Sequence, residues 1–135
     1  MSEATAPAVM TGVTPYLTVR GASDASTFYQ AAFAAEELMR QADEKSGKLI
    51  HCHLRINGAD VMMSDEFPEY GCPLGDGPNG VTLHLQVDDA DAWFERAVAA
   101  GATVAMPLAD QFWGDRYGQV KDPFGHSWSI GGPKK

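Results

Sequence analysis

Gly12-Val13-Thr14-Pro15-Tyr16-Leu17-Thr18-Val19 returns about half a chain later as Gly80-Val81-Thr82-Leu83-His84-Leu85-Gln86-Val87. Both copies alternate. Val13, Pro15, Leu17 and Val19 oppose Thr14, Tyr16 and Thr18; Val81, Leu83, Leu85 and Val87 oppose Thr82, His84 and Gln86. A period of two turns successive side chains to opposite sides, so Thr11 to Val19 and Gly80 to Val87 are expected to be half-buried strands. A helix pattern follows each copy. After the first, Ser23 and Asp24 offer capping oxygens ahead of a stripe of Ala25, Phe28, Tyr29, Ala32 and Phe33. After the second, Asp89 offers the cap, the stripe is Ala90, Trp93, Phe94, Ala97 and Val98, and Gly101 ends the helix.

Three further strands complete each half. Glu37 to Gln41 pairs with Lys48 to Asn57 across the polar turn Asp43 to Gly47, and Asn57-Gly58 turns the chain into Ala59 to Ser64. Thr103 to Leu108, Arg116 to Lys121 and His126 to Ile130 are the later counterparts, with Asp122-Pro123-Phe124-Gly125 as the last turn. The segment Asp65 to Asn79, rich in Gly, Pro and acids, is a linker or a mobile loop over a site. Self-similarity on this scale implies a duplicated unit. The expected organisation is a disordered tail over 1–11 and one domain over 12–131, with modules at about 12–66 and 80–131 and a linker at about 67–79.

The bulk properties narrow the function. At 135 residues, 44% hydrophobic and 21% charged, the chain suits one soluble domain, and no apolar run approaches the length of a membrane helix. Met1 to Thr11 lacks the basic and apolar regions of a secretory signal, so a cytoplasmic protein is expected. A net charge of -8 with scattered basic residues argues against nucleic acid and anionic membranes as partners. Two cysteines, Cys52 and Cys72, make no disulfide framework; Cys52 shares an apolar face with Ile50, Leu54 and Ile56, where a thiol is inert. Gly75-Asp76-Gly77 and Gly131-Gly132 lack the strand-turn-helix setting of a phosphate loop.

Phe112-Trp113-Gly114-Asp115-Arg116-Tyr117-Gly118 holds the densest chemistry, and it reads equally as a grip on a ligand or as a packed hairpin corner. If the apolar strand faces meet the helices, then Thr14, Tyr16, Thr18, His51, His53, Arg55, Thr82, His84 and Gln86 share the opposite, polar side. Arg55 and Arg116 are forks suited to a carboxylate or phosphonate, Arg55 equally to a salt bridge. Trp113 and Tyr117 suit stacking on a planar or cationic group, or a dimer contact. Met62, Met63 and Phe67 form a soft cavity wall or core. The acids Asp65, Glu66 and Glu69 have no evident partner that would make a general base, and His126, on the parity of Trp128 and Ile130, belongs to packing.

With these motifs the chain resembles the vicinal oxygen chelate superfamily, which includes glyoxalase I, bleomycin resistance proteins and extradiol dioxygenases. The likeness runs from Gly12 to Gly131, and Asp60-Val61-Met62-Met63-Ser64-Asp65, Phe112-Trp113-Gly114 and Asp122-Pro123-Phe124-Gly125-His126 with Trp128 are similar to the PhnB-like branch. The resemblance implies an α+β fold: two βαβββ modules forming an incomplete curved β-barrel with helices on the outside, often as a homodimer. Its enzymes usually place four His, Gln or Glu metal ligands, and the corresponding positions here are Thr14, a residue at or next to Met63, Thr82 and Ser129. Hydroxyls and a thioether hold a divalent ion poorly. The expectation is therefore a small organic ligand bound through Tyr16, His51, His53, Arg55, Met63, Thr82, His84, Trp113, Arg116 and Tyr117, with no essential metal cofactor. The alternative is a divalent-metal-dependent lyase, isomerase or dioxygenase using His51, His53 and His84, and a third reading is an interaction module with a vestigial cavity.

Overall fold

A computed structural model describes residues 12–70 and 80–135. The tail expected over 1–11, Cys72, Gly75-Asp76-Gly77 and the stretch 71–79 of the expected loop lie outside the described residues. The chain divides into two compact units, 12–30 with 34–70, and 31–33 with 80–135.

In the first unit the order is β1 (Tyr16–Val19), α1 (Ala22–Phe33, its last residues counting with the second unit), β2 (Glu36–Ala42), β3 (Leu49–Ile56) and β4 (Ala59–Asp65). The sheet runs β1-β4-β3-β2, with β1 parallel to β4 and the other pairs antiparallel. The second unit repeats it: β5 (Thr82–Gln86), α2 (Ala90–Ala100), β6 (Thr103–Asp110), β7 (Asp115–Lys121) and β8 (Ser127–Pro133), in the sheet order β5-β8-β7-β6. The two βαβββ halves read from the repeat are thus present as two mixed sheets with one helix each, an α+β fold. Neither sheet closes on itself; its first and second strands form the two edges.

The stripe of α1 is where periodicity put it, and that of α2 in part. Ala25, Phe28, Tyr29, Ala32 and Phe33 of α1 are buried, as are Ala90, Phe94 and Ala97 of α2. Trp93 is half-buried with the Arg96 guanidinium 4.5 Å above its ring, while Val98 is exposed. Gly118 sets the distance of β7 from α2, since a Cβ there would lie 2.7 Å from Phe94 Cε1 and 2.9 Å from Leu108 Cα. Asp89 caps α2, accepting from Ala92 N.

Several expectations need correction. Val13 is 99% exposed and Val81 58%, because the ladders begin only where a partner strand is present, at Tyr16 opposite Met62 and Thr82 opposite Ser127. Ser23 and Asp24 do not cap α1. The N-cap is Gly21, at φ 92, and the carboxylate of Asp65 at the end of β4 accepts from Gly21 N and Ala22 N. Asp65 therefore belongs to a strand and a buried junction, not to a loop. Ile50 does not share the buried side with Cys52, Leu54 and Ile56, because a register shift sets Gln41 opposite His51 but Ala42 opposite Leu49, leaving Ile50 as the extra, exposed residue. The last strand continues past Ile130 to Pro133, paired with β7 as far as Asp115.

Candidate functional site

On the first sheet, β3 alternates from His51 onward: Cys52, Leu54 and Ile56 are buried, and His51, His53 and Arg55 take the other side. Register then selects their neighbours. Met62 pairs with both Tyr16 and His53, and Asp60 pairs with Arg55, so these side chains share one face. Met63 pairs with Leu17 and Cys52 and is fully buried on the opposite side; Met62 takes the place on the polar face that had been assigned to it.

Hydrogen bonds and ion pairs tie this face together. Tyr16 OH and His51 Nδ1 lie 3.0 Å apart, and the rings of His51 and His53 meet edge-on at 6.4 Å. Burial, and then the neighbouring His53, hold the His51 imidazole below its ordinary pKa. His53, 2% exposed, has Nε2 3.2 Å from Asp60 Oδ1 but without hydrogen-bonding alignment, so that nitrogen has no hydrogen-bond partner. Arg55 Nη2 lies 3.0 Å from the same Asp60 oxygen and holds its carboxyl below the usual range. Arg55 is thus in the salt bridge that was one of its two readings. Asp60 escaped the sequence reading, although its parity with Met62 was there to be used.

On the second sheet Thr82, His84 and Gln86 of β5 stand opposite Ser127, Ser129 and Gly131 of β8, which pair in turn with Lys121, Gln119 and Tyr117 of β7. His84 Nδ1 lies 2.7 Å from Ser129 Oγ and its Nε2 2.8 Å from Gln86 Oε1. The Tyr117 ring stacks against His84 at 6.0 Å, and Gln119 Nε2 donates to Tyr117 OH. Gly131 leaves room for both rings, since a Cβ there would lie 3.1 Å from His84 Cε1 and 3.5 Å from Tyr117 Cδ2. Trp113, in the turn between β6 and β7, meets Tyr117 edge-on at 5.4 Å and remains 51% exposed; Phe112 beyond it is almost wholly exposed. Asp115 completes the group, accepting from Gln86 Nε2 at 3.3 Å. Sequence reasoning passed over Asp115 and Gln119, which share the parity of Tyr117 on a regular strand.

Arg116 is not part of this face. Its Nε donates to both oxygens of Asp91 on α2, at 3.0 and 3.1 Å, and its Nη1 to Asp110 at 3.3 Å. It lies on the parity of Gly118 and Val120, the side packed against α2.

The structure thus gathers Tyr16, His51, His53 and Arg55 on one sheet and Thr82, His84, Trp113 and Tyr117 on the other, and leaves Met63 and Arg116 outside both groups. Of the positions implied for metal ligands, Thr14 is half-buried ahead of β1, Thr82 is exposed, and Ser129 is buried against His84. Oxygen of neutral hydroxyls and the thioether of Met62 are a poor donor set for a divalent ion. Among the described residues no group of three or more His, Cys, Asp or Glu is placed to hold a metal. Separately, a hollow of about 330 Å³ at the start of α1 is lined by Arg20, Ser23, Asp24, Lys48 and Glu66. Arg20 pairs with Glu66 across it and Lys48 Nζ donates to Glu66 O.

A model of the Glyoxalase/Bleomycin resistance protein/Dioxygenase superfamily matches residues 9–130. An uncharacterized protein of Mycobacterium bovis, Mb0911c, is 51% identical over 127 residues, covering 90% of this chain and 82% of that one. Among solved structures, a PhnB protein from Bacillus cereus, described as a putative 3-demethylubiquinone-9 3-methyltransferase, superposes with a TM-score of 0.70 at 20% identity over 89% of this chain and 98% of the other. The fosfomycin resistance protein FosX of Listeria monocytogenes, crystallised with Mn(II) and sulfate, superposes at 0.67 with 18% identity, covering 93% and 95%. At these identities the structural likeness speaks for the fold.

Proposed function

Because the chain belongs to the Glyoxalase/Bleomycin resistance protein/Dioxygenase superfamily, we propose that it is a PhnB-like member that binds a small organic ligand on the polar sheet faces without a strongly held metal. One observation carries this reading: Trp113, Tyr117 and His84 form a run of rings on the side of the second sheet away from α2, His84 held by Ser129 and Gln86 and Tyr117 by Gln119, yet left partly open to solvent. Rigid rings oriented by hydrogen bonds cost little further ordering when a ligand covers them, which is what a preformed site requires. Tyr16, His51 and Arg55 offer a second, more polar surface on the first sheet, with His53 buried beside them, and Thr82 lies two residues before His84 on β5.

The metal alternative, which uses His51, His53 and His84, would have to draw His51 from Tyr16 and His84 from Ser129 and Gln86, with His53 Nε2 left without a hydrogen bond but buried. FosX, by contrast, was crystallised with Mn(II). Metal analysis of protein purified without chelator separates the two: well below one equivalent is expected. Near-stoichiometric metal that disappears in His53→Ala would overturn the metal-free reading. The same reading takes the protein to be a cytoplasmic homodimer, for which sedimentation equilibrium should return twice the 14.5 kDa chain mass. No helix of the described residues is long and apolar enough to cross a membrane.

A further inference from the structure

We propose that the ligand taken by the Trp113–Tyr117 face is a flat organic cation, a protonated or N-alkylated heteroaromatic, with the Asp115 carboxylate as its counter-charge. This rests on reading that face as the ligand site, and it commits the chemistry that the sequence left open between carboxylate and cation.

The arginines decide against an anion. Arg116 is directed to Asp91 and Asp110 on the far side of β7. On the near side, among the described residues, Asp115 has only the neutral amide of Gln86 as a side-chain partner, at the long distance of 3.3 Å, and no Lys or Arg pairs with it. The next cation on that face of β7 is Lys121, six residues along, or about 20 Å at the rise of an extended strand. An anionic ligand would meet this carboxylate and the field of a chain of net charge -8. A neutral ligand lying over Asp115 would desolvate a charge and return nothing for it. A cation turns the same desolvation into an ion pair.

The rings supply the rest. Trp113 and Tyr117 meet edge-on at 5.4 Å, and Trp113, two residues before Asp115 in the chain, keeps half its surface open. Indole and phenol attract a cation through the negative potential over their rings, most strongly where water is excluded. A planar cation satisfies both features at once: ring against ring, charge against carboxylate.

Isothermal titration of the full chain with three probes of one size tests this: N-methylquinolinium, neutral quinoline and quinoline-2-carboxylate. N-methylquinolinium should bind about tenfold more tightly than the carboxylate. Asp115→Asn should weaken N-methylquinolinium about fivefold and leave quinoline unchanged, and Trp113→Ala should weaken both. Trp113 is exposed and Asp115 half-buried, and unchanged circular dichroism controls for folding. If the carboxylate binds as well as the cation, or Asp115→Asn changes nothing, while Trp113→Ala still matters, the ligand class is wrong and the site stands. If no probe binds, or binding ignores Trp113→Ala and Tyr117→Ala, the site itself is misplaced and the proposal falls with it.

Discussion

Replacing Asp65 by asparagine keeps the shape of the side chain and removes its charge. In the native fold Oδ1 accepts from Gly21 N at 2.8 Å and Ala22 N at 2.9 Å, and Oδ2 from Leu49 N at 2.7 Å, with the residue 5% exposed. One carboxylate thus joins the end of β4 to the start of α1 and the start of β3. Asparagine retains one acceptor oxygen, but its amide nitrogen must face an N–H, so at least one bond is lost and two donors are left opposed. A hydrogen bond to a charged group contributes roughly 1.5–3 kcal/mol, and a buried donor left unpaired costs a further 1–3. Allowing for partial relaxation, Asp65→Asn should cost about 2–4 kcal/mol, roughly 10 °C of melting temperature for a chain of this length. Urea unfolding followed by circular dichroism should show a lower midpoint at an unchanged slope. The exposed neighbour Glu69, changed to Gln, is the control and should stay within about 0.5 kcal/mol. If Asp65→Asn loses no more than this control, the carboxylate does not hold the junction.

Gly118→Ala should cost about 1–3 kcal/mol in the same urea assay, because its Cβ would meet Phe94 Cε1 at 2.7 Å and backbone of Leu108 at 2.9 Å. Arg116→Ala should lower the thermal midpoint by releasing Asp91 and Asp110, yet leave N-methylquinolinium affinity unchanged; a lost affinity would return Arg116 to the binding face. Burial, then Glu37, pushes the Cys52 thiol up to about 11, so at pH 8 only about one molecule in a thousand carries the thiolate. In a Cys72→Ser background, Ellman's reagent should therefore react only once denaturant is added. His51, held below its ordinary 6.5, is protonated more readily in the unfolded chain than in the folded one. Its contribution to stability is therefore complete above about pH 6.5 and declines as pH falls below it. His51→Gln should flatten the stability profile just below about pH 6.5, whereas Asp60 and Glu37, both held low, add their losses only nearer the ordinary carboxylate range.

The order of elements and the buried stripe of each helix were legible because they rest on local steric rules. Alternation in strands and a repeat of 3.6 residues in helices express themselves within a few residues, and two matching copies read each other's boundaries. The side of β7 that carries Arg116 was also within reach, since Gly118 and Val120 share its parity and are buried. The partners across the fold were not. Asp65 caps a helix whose start lies 43 and 44 residues earlier in the chain, and nothing in the spacing of Ser23 and Asp24 excludes them from that role. Met62 and Met63 are one residue apart in an apolar run, and only the register of β4 against β1 and β3 turns Met62 outward beside Tyr16 and His53. Asp115 becomes a counter-charge because Arg116 is directed to α2, an outcome of how the second sheet packs on its helix. The sequence by itself determined which side chains can share a face, since alternation is a property of neighbouring residues. Tertiary structure decided which of them meet and which charges are already paired, because register and packing depend on residues brought together from far along the chain.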